Sequence, residues 1–346
     1  MTTTLACPKH MEYGPCGGVE FDGRCEVAEF RCVFLELPTV RWHGVESDLP
    51  PGASDPVPPA PVSAGATAMR ELLATRPIVV ADFPARALDA DSIVECGGIL
   101  AGSVDAVLAG DAGAARVQFP PAYRAALIQA TGLSVWTGFN CRDRNRVAME
   151  GELAALAHVG VSGVHCVTGD HTLTGQRPDA APVFDLDSTE AASLARANGH
   201  LVSVAEAPAT PPVERRPNRL VEKARAGAEV CFVNHAGGAV PVAEFIKRAQ
   251  DLGADLAYIP CVPVVVDRES AGLLRTFTTL VLPPLYLERI LDADDPFEEG
   301  IAAAVELSRE FLEIDGVRGV NLSGGAGPLR EAWFAEALAR IGRELV

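Results

Sequence analysis

The run Ile78-Val79-Val80-Ala81-Asp82-Phe83 is an apolar segment of strand length that ends in a carboxylate and an aromatic side chain. Seven later runs share its continuous rather than alternating apolar character, and they are Ala106–Ala109, Ser134–Cys141, Gly163–Thr168, Leu201–Ala205, Val230–Asn234, Leu256–Cys261 and Gly319–Ser323. Continuous apolar runs are typical of parallel strands that are covered by helices. Eight of them predict a (β/α)8 TIM barrel, and a doubly wound sheet is disfavoured because no run leads into a G-x-G-x-x-G turn.

Helical patterns alternate with these runs, as a barrel of this kind requires. Helices are predicted at Arg146–His158, Ser188–Asn198, Asn218–Ala226, Val242–Leu252, Phe297–Glu313 and Leu329–Leu345. The catalytic barrel is therefore predicted to span residues 66–346, which suits the roughly 250 residues of a typical domain with this fold.

The N-terminal 48 residues hold four of the nine cysteines, at Cys7, Cys16, Cys25 and Cys32. A segment this short buries little apolar surface, so a bound metal would supply much of its folding energy. Four thiolates suit either Zn²⁺ or a [4Fe–4S] cluster, and the C-x8-C-x8-C-x6-C spacing does not decide between them. Residues 1–48 are thus predicted to form a small metal-binding module, with His10 and His43 as alternative ligands.

A proline-rich stretch and the overall charge restrict the organisation and the partners of the chain. Residues 49–65 contain six prolines and are predicted to be an extended linker. The net charge of −17 over 346 residues disfavours nucleic acid and anionic membranes as partners. Because the sequence has no apolar stretch of about 18 residues and no signal-peptide pattern, we expect a cytoplasmic protein with reduced cysteines.

Two aspartates at the ends of predicted strands are candidates for chemistry. Asp82 precedes Phe83, and a carboxyl group in apolar surroundings has a raised pKa that lets it donate a proton near neutral pH. Asp170 follows Gly169, which permits close approach of a planar ligand to the backbone. The alternatives are a helix cap or ion-pair partner at Asp82 and a turn residue at Asp170.

Other polar residues at strand ends are candidates because the active sites of (β/α)8 barrels lie there. They are Asp111, Asn140, Cys141, Arg142, Asp143, Thr168, His171, Glu206, Asn234 and His235. The arginines within Asn140–Arg146 suit a phosphate or carboxylate ligand, although a solvated helix start with internal ion pairs explains them equally well. The glycine-rich segment Ser323–Pro328 occupies the usual phosphate position of a barrel.

Several of these segments together resemble the methylenetetrahydrofolate reductase family over roughly residues 77–325. The resemblance is carried by Ala81-Asp82-Phe83-Pro84, Phe139-Asn140-Cys141-Arg142-Asp143-Arg144-Asn145-Arg146, Gly163-Val164-His165-Cys166-Val167-Thr168-Gly169-Asp170, Val202-Ser203-Val204-Ala205, Leu220–Ala228 and Ile259-Pro260. The N-terminal run from Cys7-Pro8-Lys9 through Gly14-Pro15-Cys16-Gly17-Gly18 to Cys25-Glu26-Val27 resembles the cysteine module of some bacterial reductases of this family, notably those of acetogens.

The resemblance implies a barrel that binds FAD and reduces 5,10-methylenetetrahydrofolate to 5-methyltetrahydrofolate by hydride transfer. It implies that Asp82 assists protonation of the folate and that Asp170 tunes the flavin. The implied cofactor-binding residues are Asn140, Thr168, Gly169, Asp170 and Lys223, and the predicted substrate-binding residues are Asn234 and Glu206. NAD(P)H or a redox protein would supply the electrons, and the chain could form an oligomer.

Three positions depart from the pattern of that family. Thr168 stands where an arginine is common, Gly138 where a histidine often lies, and Ala207 where a tyrosine follows the fifth strand. These departures remove expected flavin contacts and leave two alternatives open. One is a flavin-independent, tetrahydrofolate-linked methyl-transfer or demethylation enzyme, and the other is a non-catalytic subunit that docks an electron-transfer partner.

Overall fold

A computed structural model describes residues 7–44, 62–111 and 113–345 of the chain. Most of the predicted linker, residues 49–61, lies outside the described residues. A short antiparallel hairpin in the N-terminal segment consists of β1 (Arg24–Cys25) and β2 (Ala28–Arg31). The remaining strands are β3 (Ile78–Asp82), β4 (Ala106–Ala109), β5 (Val135–Asn140), β6 (Gly163–Val167), β7 (Val202–Glu206), β8 (Val230–Val233), β9 (Ala257–Pro263) and β10 (Gly319–Ser323).

Strands β3 to β10 form a closed barrel of eight parallel strands, which confirms the predicted fold. Each strand pairs with its neighbour in sequence, and β10 closes the barrel on β3 with Gly319 opposite Ile78 and Leu322 opposite Ala81. Each of the eight predicted apolar runs overlaps one strand of the barrel, and β7 and β9 extend one and two residues beyond their predicted ends.

Helices surround the barrel and connect its strands. They are α1 (Ala64–Thr75), α2 (Ala90–Leu100), α3 (Pro121–Gln129), α4 (Arg146–Val159), α5 (Ser188–Ala197), α6 (Arg216–Arg225), α7 (Ala239–Asp251), α8 (Arg268–Leu274), α9 (Tyr286–Leu291), α10 (Pro296–Leu312) and α11 (Glu331–Leu345). The six predicted helices correspond to α4, α5, α6, α7, α10 and α11, whereas α1, α2, α3, α8 and α9 had not been predicted. Within the described residues, no helix is both long enough and apolar enough to cross a bilayer.

Local sequence signals explain where several helices begin. At α5, Asp187 accepts backbone hydrogen bonds from the first turn while the Glu190 side chain accepts from the Asp187 N–H, which is a complete capping box. At α10, Asp295 caps the helix and Pro296 occupies the first helical position, where its missing N–H costs nothing.

Apolar side chains form one cluster outside the barrel strands and a second cluster inside them. Alternate strand residues such as Val79 and Ala81 pack outward against the helices. Inside the barrel, Trp136 and Phe232 pack with Met69 of α1 in a separate apolar cluster. Because α1 residues fill this inner cluster, we infer that a ligand has to enter at the opposite end, where the strands terminate.

The packing of α10 against the barrel yields a stability prediction. A Cβ at Gly300 would collide with the carbonyl oxygen of Val265, whereas a Cβ at Gly98 in α2 meets no atom within 4 Å. We expect Gly300→Ala to lower the free energy of unfolding by about 1–3 kcal/mol through overpacking. The matched control Gly98→Ala should raise it by up to about 1 kcal/mol through helix propensity. Chemical denaturation measures both, and equal effects of the two substitutions would contradict this packing.

Candidate functional site

Asp82 ends β3 at the mouth of the barrel. Its carboxylate accepts hydrogen bonds from Asn321 Nδ2 at 2.9 Å and from the Gly324 N–H at 3.2 Å, and it also accepts one from the Ser323 hydroxyl. No lysine or arginine among the described residues compensates its charge. Burial raises the pKa of Asp82 despite the three donors, so this group is suited to carrying a proton.

Asn140, at the end of β5, is buried and hydrogen-bonds to other residues of the protein. Its Nδ2 donates to Asp111 Oδ1 at 3.0 Å, and its Oδ1 accepts from the Asp143 N–H at 3.3 Å. Arg142 is fully buried and donates to both Asp111 and Asp143 at 2.7 Å. This arrangement matches the expected alternative of internal ion pairs rather than an open anion site.

The segment after β6 brings Thr168, Gly169 and Asp170 to the rim. The Thr168 hydroxyl is buried and donates to Met11 Sδ at 3.6 Å. Gly169 adopts φ +89°, a left-handed conformation that favours glycine. The Asp170 side chain is 62% exposed and forms an ion pair with Arg116 at 3.0 Å. Of these three predicted cofactor residues, only Asp170 presents its side chain to solvent.

Glu206 and Lys223 lie together in a buried ionic cluster below the rim. Lys223 Nζ donates to Glu206 at 2.9 Å and to the Ala205 carbonyl at 2.6 Å, and Arg216 donates to Glu206 at 3.2 Å. Burial alone would raise the pKa of Glu206, but Lys223 and Arg216 outweigh it and hold that pKa below its usual value. Both predicted ligand-binding side chains therefore already have partners within the protein.

The described N-terminal segment, residues 7–44, hereafter the module, is docked onto the rim near the ends of β6 and β7. Arg216 donates to the Cys16 carbonyl at 3.1 Å, and so joins a loop of the module to the Glu206 cluster. Glu26 forms a buried ion pair with Lys9 at 2.5 Å and accepts the His171 N–H at 3.3 Å. The module thus covers one sector of the mouth, while the sector around Asp82 lies on other strands.

The four cysteines of the module share one small cavity. Its wall includes all four of these residues together with Pro8, Lys9, Met11, Gly18, Val19, Phe30, Val33 and Phe34. The Gly18 N–H donates to Cys16 Sγ at 3.4 Å. Backbone N–H groups also approach the other three sulfurs, namely those of Met11 and Lys9 at Cys7, of Val27 at Cys25 and of Phe34 at Cys32. Such N–H···S bonds stabilise thiolates and are a feature of metal–sulfur sites.

The predicted metal site remains a prediction. Burial raises the pKa of Cys7 and Cys25, and it raises that of Cys32 to about 11. Among the described residues, no three His, Cys, Asp or Glu side chains are arranged to hold a single metal ion. The chemistry of the donor set fits a thiolate-bound metal, since deprotonated sulfur is what Zn²⁺ and iron–sulfur clusters bind.

Two further polar residues lie at the mouth of the barrel, one of them missed by the sequence analysis and the other found only by its position at a strand end. Asn321 lies inside the run Gly319–Ser323 and is almost fully buried beside Asp82. His235 was a strand-end candidate without a role, and it follows Asn234, whose side chain is exposed. A polar residue at an inward position of an apolar strand is the signal that would have found Asn321.

Comparison with known proteins supports the family resemblance of the N-terminal segment. Residues 1–43 match the family described as methylene-tetrahydrofolate reductase C terminal, which confirms the predicted resemblance there. No curated protein sequence matches the chain.

Solved structures share the architecture of the barrel at low sequence identity. An uncharacterized protein from Clostridium thermocellum that binds two copies of 5-methyl-5,6,7,8-tetrahydrofolic acid aligns with a TM-score of 0.58 and 10% identity, covering 80% of this chain and 99% of that chain. A putative lyase/mutase from Burkholderia cenocepacia J2315 aligns with a TM-score of 0.46 and 16% identity, covering 80% of this chain and 83% of that chain. The first comparison supports the barrel fold, and the structural similarity in the second is too low to carry an argument.

The docking of the module yields a prediction about Arg216. Arg216→Met leaves the Cys16 carbonyl without its side-chain donor and removes one of the two cations that pair with the buried Glu206, and breaking a buried ion pair typically costs about 3–5 kcal/mol. We therefore expect faster amide hydrogen exchange in residues 7–44. The control Arg309→Met changes a side chain that is 63% exposed and should leave this exchange unaltered. Unchanged exchange in the Arg216 variant would show that other contacts hold the module.

Proposed function

We propose that this protein is a folate-dependent oxidoreductase that reduces 5,10-methylenetetrahydrofolate to 5-methyltetrahydrofolate. The observation that carries this proposal is Asp82, a buried carboxyl group with three hydrogen-bond donors and no compensating cation at the mouth of the barrel. The family match over residues 1–43 supports the assignment, as does the fold shared with a protein that binds 5-methyltetrahydrofolate.

In the proposed reaction, Asp82 acts as the general acid. The Asp82 carboxyl group donates its proton to N10 of the substrate, and the bond between N10 and the methylene carbon breaks. The resulting iminium carbon on N5 then accepts a hydride and becomes the methyl group. A reduced nicotinamide would supply the hydride and leave as the oxidised nicotinamide, and Asp82 would regain a proton from solvent.

The residues expected to hold FAD do not fit that cofactor as they are arranged. Asn140 is buried and bonded to Asp111 and Asp143, and Lys223 is paired with Glu206 beneath the rim. Thr168 contacts Met11 of the module, which lies over this sector of the mouth. We therefore propose direct hydride transfer from the nicotinamide and route no step through a flavin.

The same arrangement also favours the flavin-independent methyl-transfer alternative. In that reaction no hydride is transferred, so reduced nicotinamide would not be consumed. Asp82 could serve there by protonating the tetrahydrofolate nitrogen that loses its methyl group. Consumption of reduced nicotinamide with 5,10-methylenetetrahydrofolate as substrate distinguishes the two reactions.

We further propose that Cys7, Cys16, Cys25 and Cys32 bind Zn²⁺ or a [4Fe–4S] cluster. Their shared cavity and the backbone N–H groups that approach each sulfur support this assignment. When bound, the metal would cross-link the segments around the four cysteines and contribute to the folding free energy of the module.

The role of Asp82 predicts a specific pH dependence. Since the protonated carboxyl group is the active form and burial raises its pKa, kcat for the reduction should fall as pH rises through that raised pKa. Asp82→Asn should lower kcat by about a hundredfold to ten-thousandfold and remove this pH dependence. Asp82→Glu should retain part of the activity.

The control for this experiment is Asp179→Asn, which changes a side chain that is 66% exposed. It should keep the wild-type rate and pH profile. A wild-type pH profile in the Asp82→Asn enzyme would rule out Asp82 as the acid. Wild-type protein that binds no folate in calorimetry would instead favour the non-catalytic subunit.

Cofactor content is predicted as a second outcome. We expect anaerobically purified protein to lack a flavin absorption band, and to gain none when FAD is added. Metal analysis should find zinc, or iron together with acid-labile sulfide, and replacing all four module cysteines by serine should abolish it. Stoichiometric flavin would overturn the direct hydride transfer, and wild-type protein free of metal after anaerobic purification would overturn the proposed metal site.

A further inference from the structure

His235 is a half-buried histidine whose two ring nitrogens are both buried. Neither ring nitrogen makes a hydrogen bond to the described residues, although the ring lies beside the backbone of Cys261 on β9. The Phe277 ring stacks on it with centroids 6.3 Å apart. Burial lowers the pKa of His235 to about 4, so the ring is neutral and presents one donor and one acceptor.

Asn321 on β10, two strands away from β8, also has a buried polar atom, its Oδ1, without a partner in the described part of the chain. Its Nδ2 donates to Asp82 at 2.9 Å and lies 3.7 Å from Cys261 Sγ. Its Oδ1 is buried and has no partner among the described residues. A buried amide oxygen left without a donor is unfavourable, which suggests that a ligand completes it.

The two groups converge on the same part of the mouth. Strands β8, β9, β10 and β3 are consecutive neighbours in the barrel, and Cys261 on β9 lies next to both His235 and Asn321. The proposed acid Asp82 is bonded directly to Asn321. The acceptor Asn321 Oδ1 therefore belongs to a residue bonded to the reacting group, and the His235 ring lies on the other side of Cys261.

We propose that Asn321 and His235 recognise an amide edge, that is, an N–H donor beside a carbonyl acceptor. The Asn321 Oδ1 would accept the ligand N–H, a neutral His235 would donate to the carbonyl oxygen, and the ligand ring would replace Phe277 over His235. The inference rests on the proposed function, which supplies two ligands with this edge. They are the pyrimidinone ring of the folate and the carboxamide of the nicotinamide.

Binding measurements on two variants test this inference. His235→Phe keeps the ring for stacking and removes both nitrogens, and Asn321→Leu removes the amide at similar volume. Calorimetry with 5-methyltetrahydrofolate and, separately, with NADPH should show a roughly tenfold to hundredfold loss of affinity for one of the two ligands in both variants. The ligand affected identifies the source of the amide edge.

Controls separate recognition from folding. His235→Gln keeps a donor and an acceptor and should restore most of the affinity. His158→Phe makes the same change at an exposed position on α4 and should bind as the wild type does. Should Asn321→Leu fail to fold, the two His235 variants still decide the question.

The outcomes distinguish this inference from the proposed function. Wild-type affinity of His235→Phe for both ligands would overturn the recognition pair and leave the proposed function intact. Loss of affinity in His235→Gln equal to that in His235→Phe would also overturn it, because the donor would then be irrelevant. Wild-type protein that binds neither ligand would overturn the proposed function and, with it, this inference.

Discussion

The closed ladder of eight parallel strands is the constraint on which the remaining structure depends. In a closed barrel, alternate side chains of every strand point into one shared interior, and these side chains have to fill it. Trp136 fills much of it, and Gly163 on the neighbouring strand is required because a Cβ would collide with the indole ring. Apolar side chains, including those of α1, fill the end of the barrel interior that lies opposite the mouth. The polar interior residues Asp82 and Asn321 therefore lie toward the mouth.

Buried charge divides that mouth into two sectors of different character. On the β7 side, Glu206 is compensated by Lys223 and Arg216, and such clusters mainly fix local structure. On the β3 side, Asp82 has hydrogen-bond donors but no cation, and an uncompensated buried carboxyl group is typical of functional sites. The resemblance to the reductase family implied site residues in both sectors. The absence of a cation beside Asp82 among the described residues favours the β3 sector as the place of the proposed reaction.

Sequence reasoning succeeded where the signal is local. The apolar content of a parallel strand is set by its own burial, so all eight barrel strands were predicted. Helix α2 was missed because Gly97 and Gly98 weaken its helical pattern, and α1 because it begins within the expected linker. Asp82 was found from its position at a strand end. The partners of Lys223 could not be predicted, since a lysine on an isolated helix looks like a surface residue.

The bond between Arg216 and the Cys16 carbonyl joins residues that are 200 positions apart in the chain. During synthesis the cysteine segment leaves the ribosome before α6, yet its docking surface exists only after α6 has been made and packed. Until then the segment lacks the contacts that Thr168, His171 and Arg216 supply, and its four thiols are open to oxidation whenever the unsupported segment unfolds. Early capture of the proposed metal would therefore protect this segment during translation, independently of any part that the metal would play in the folded protein.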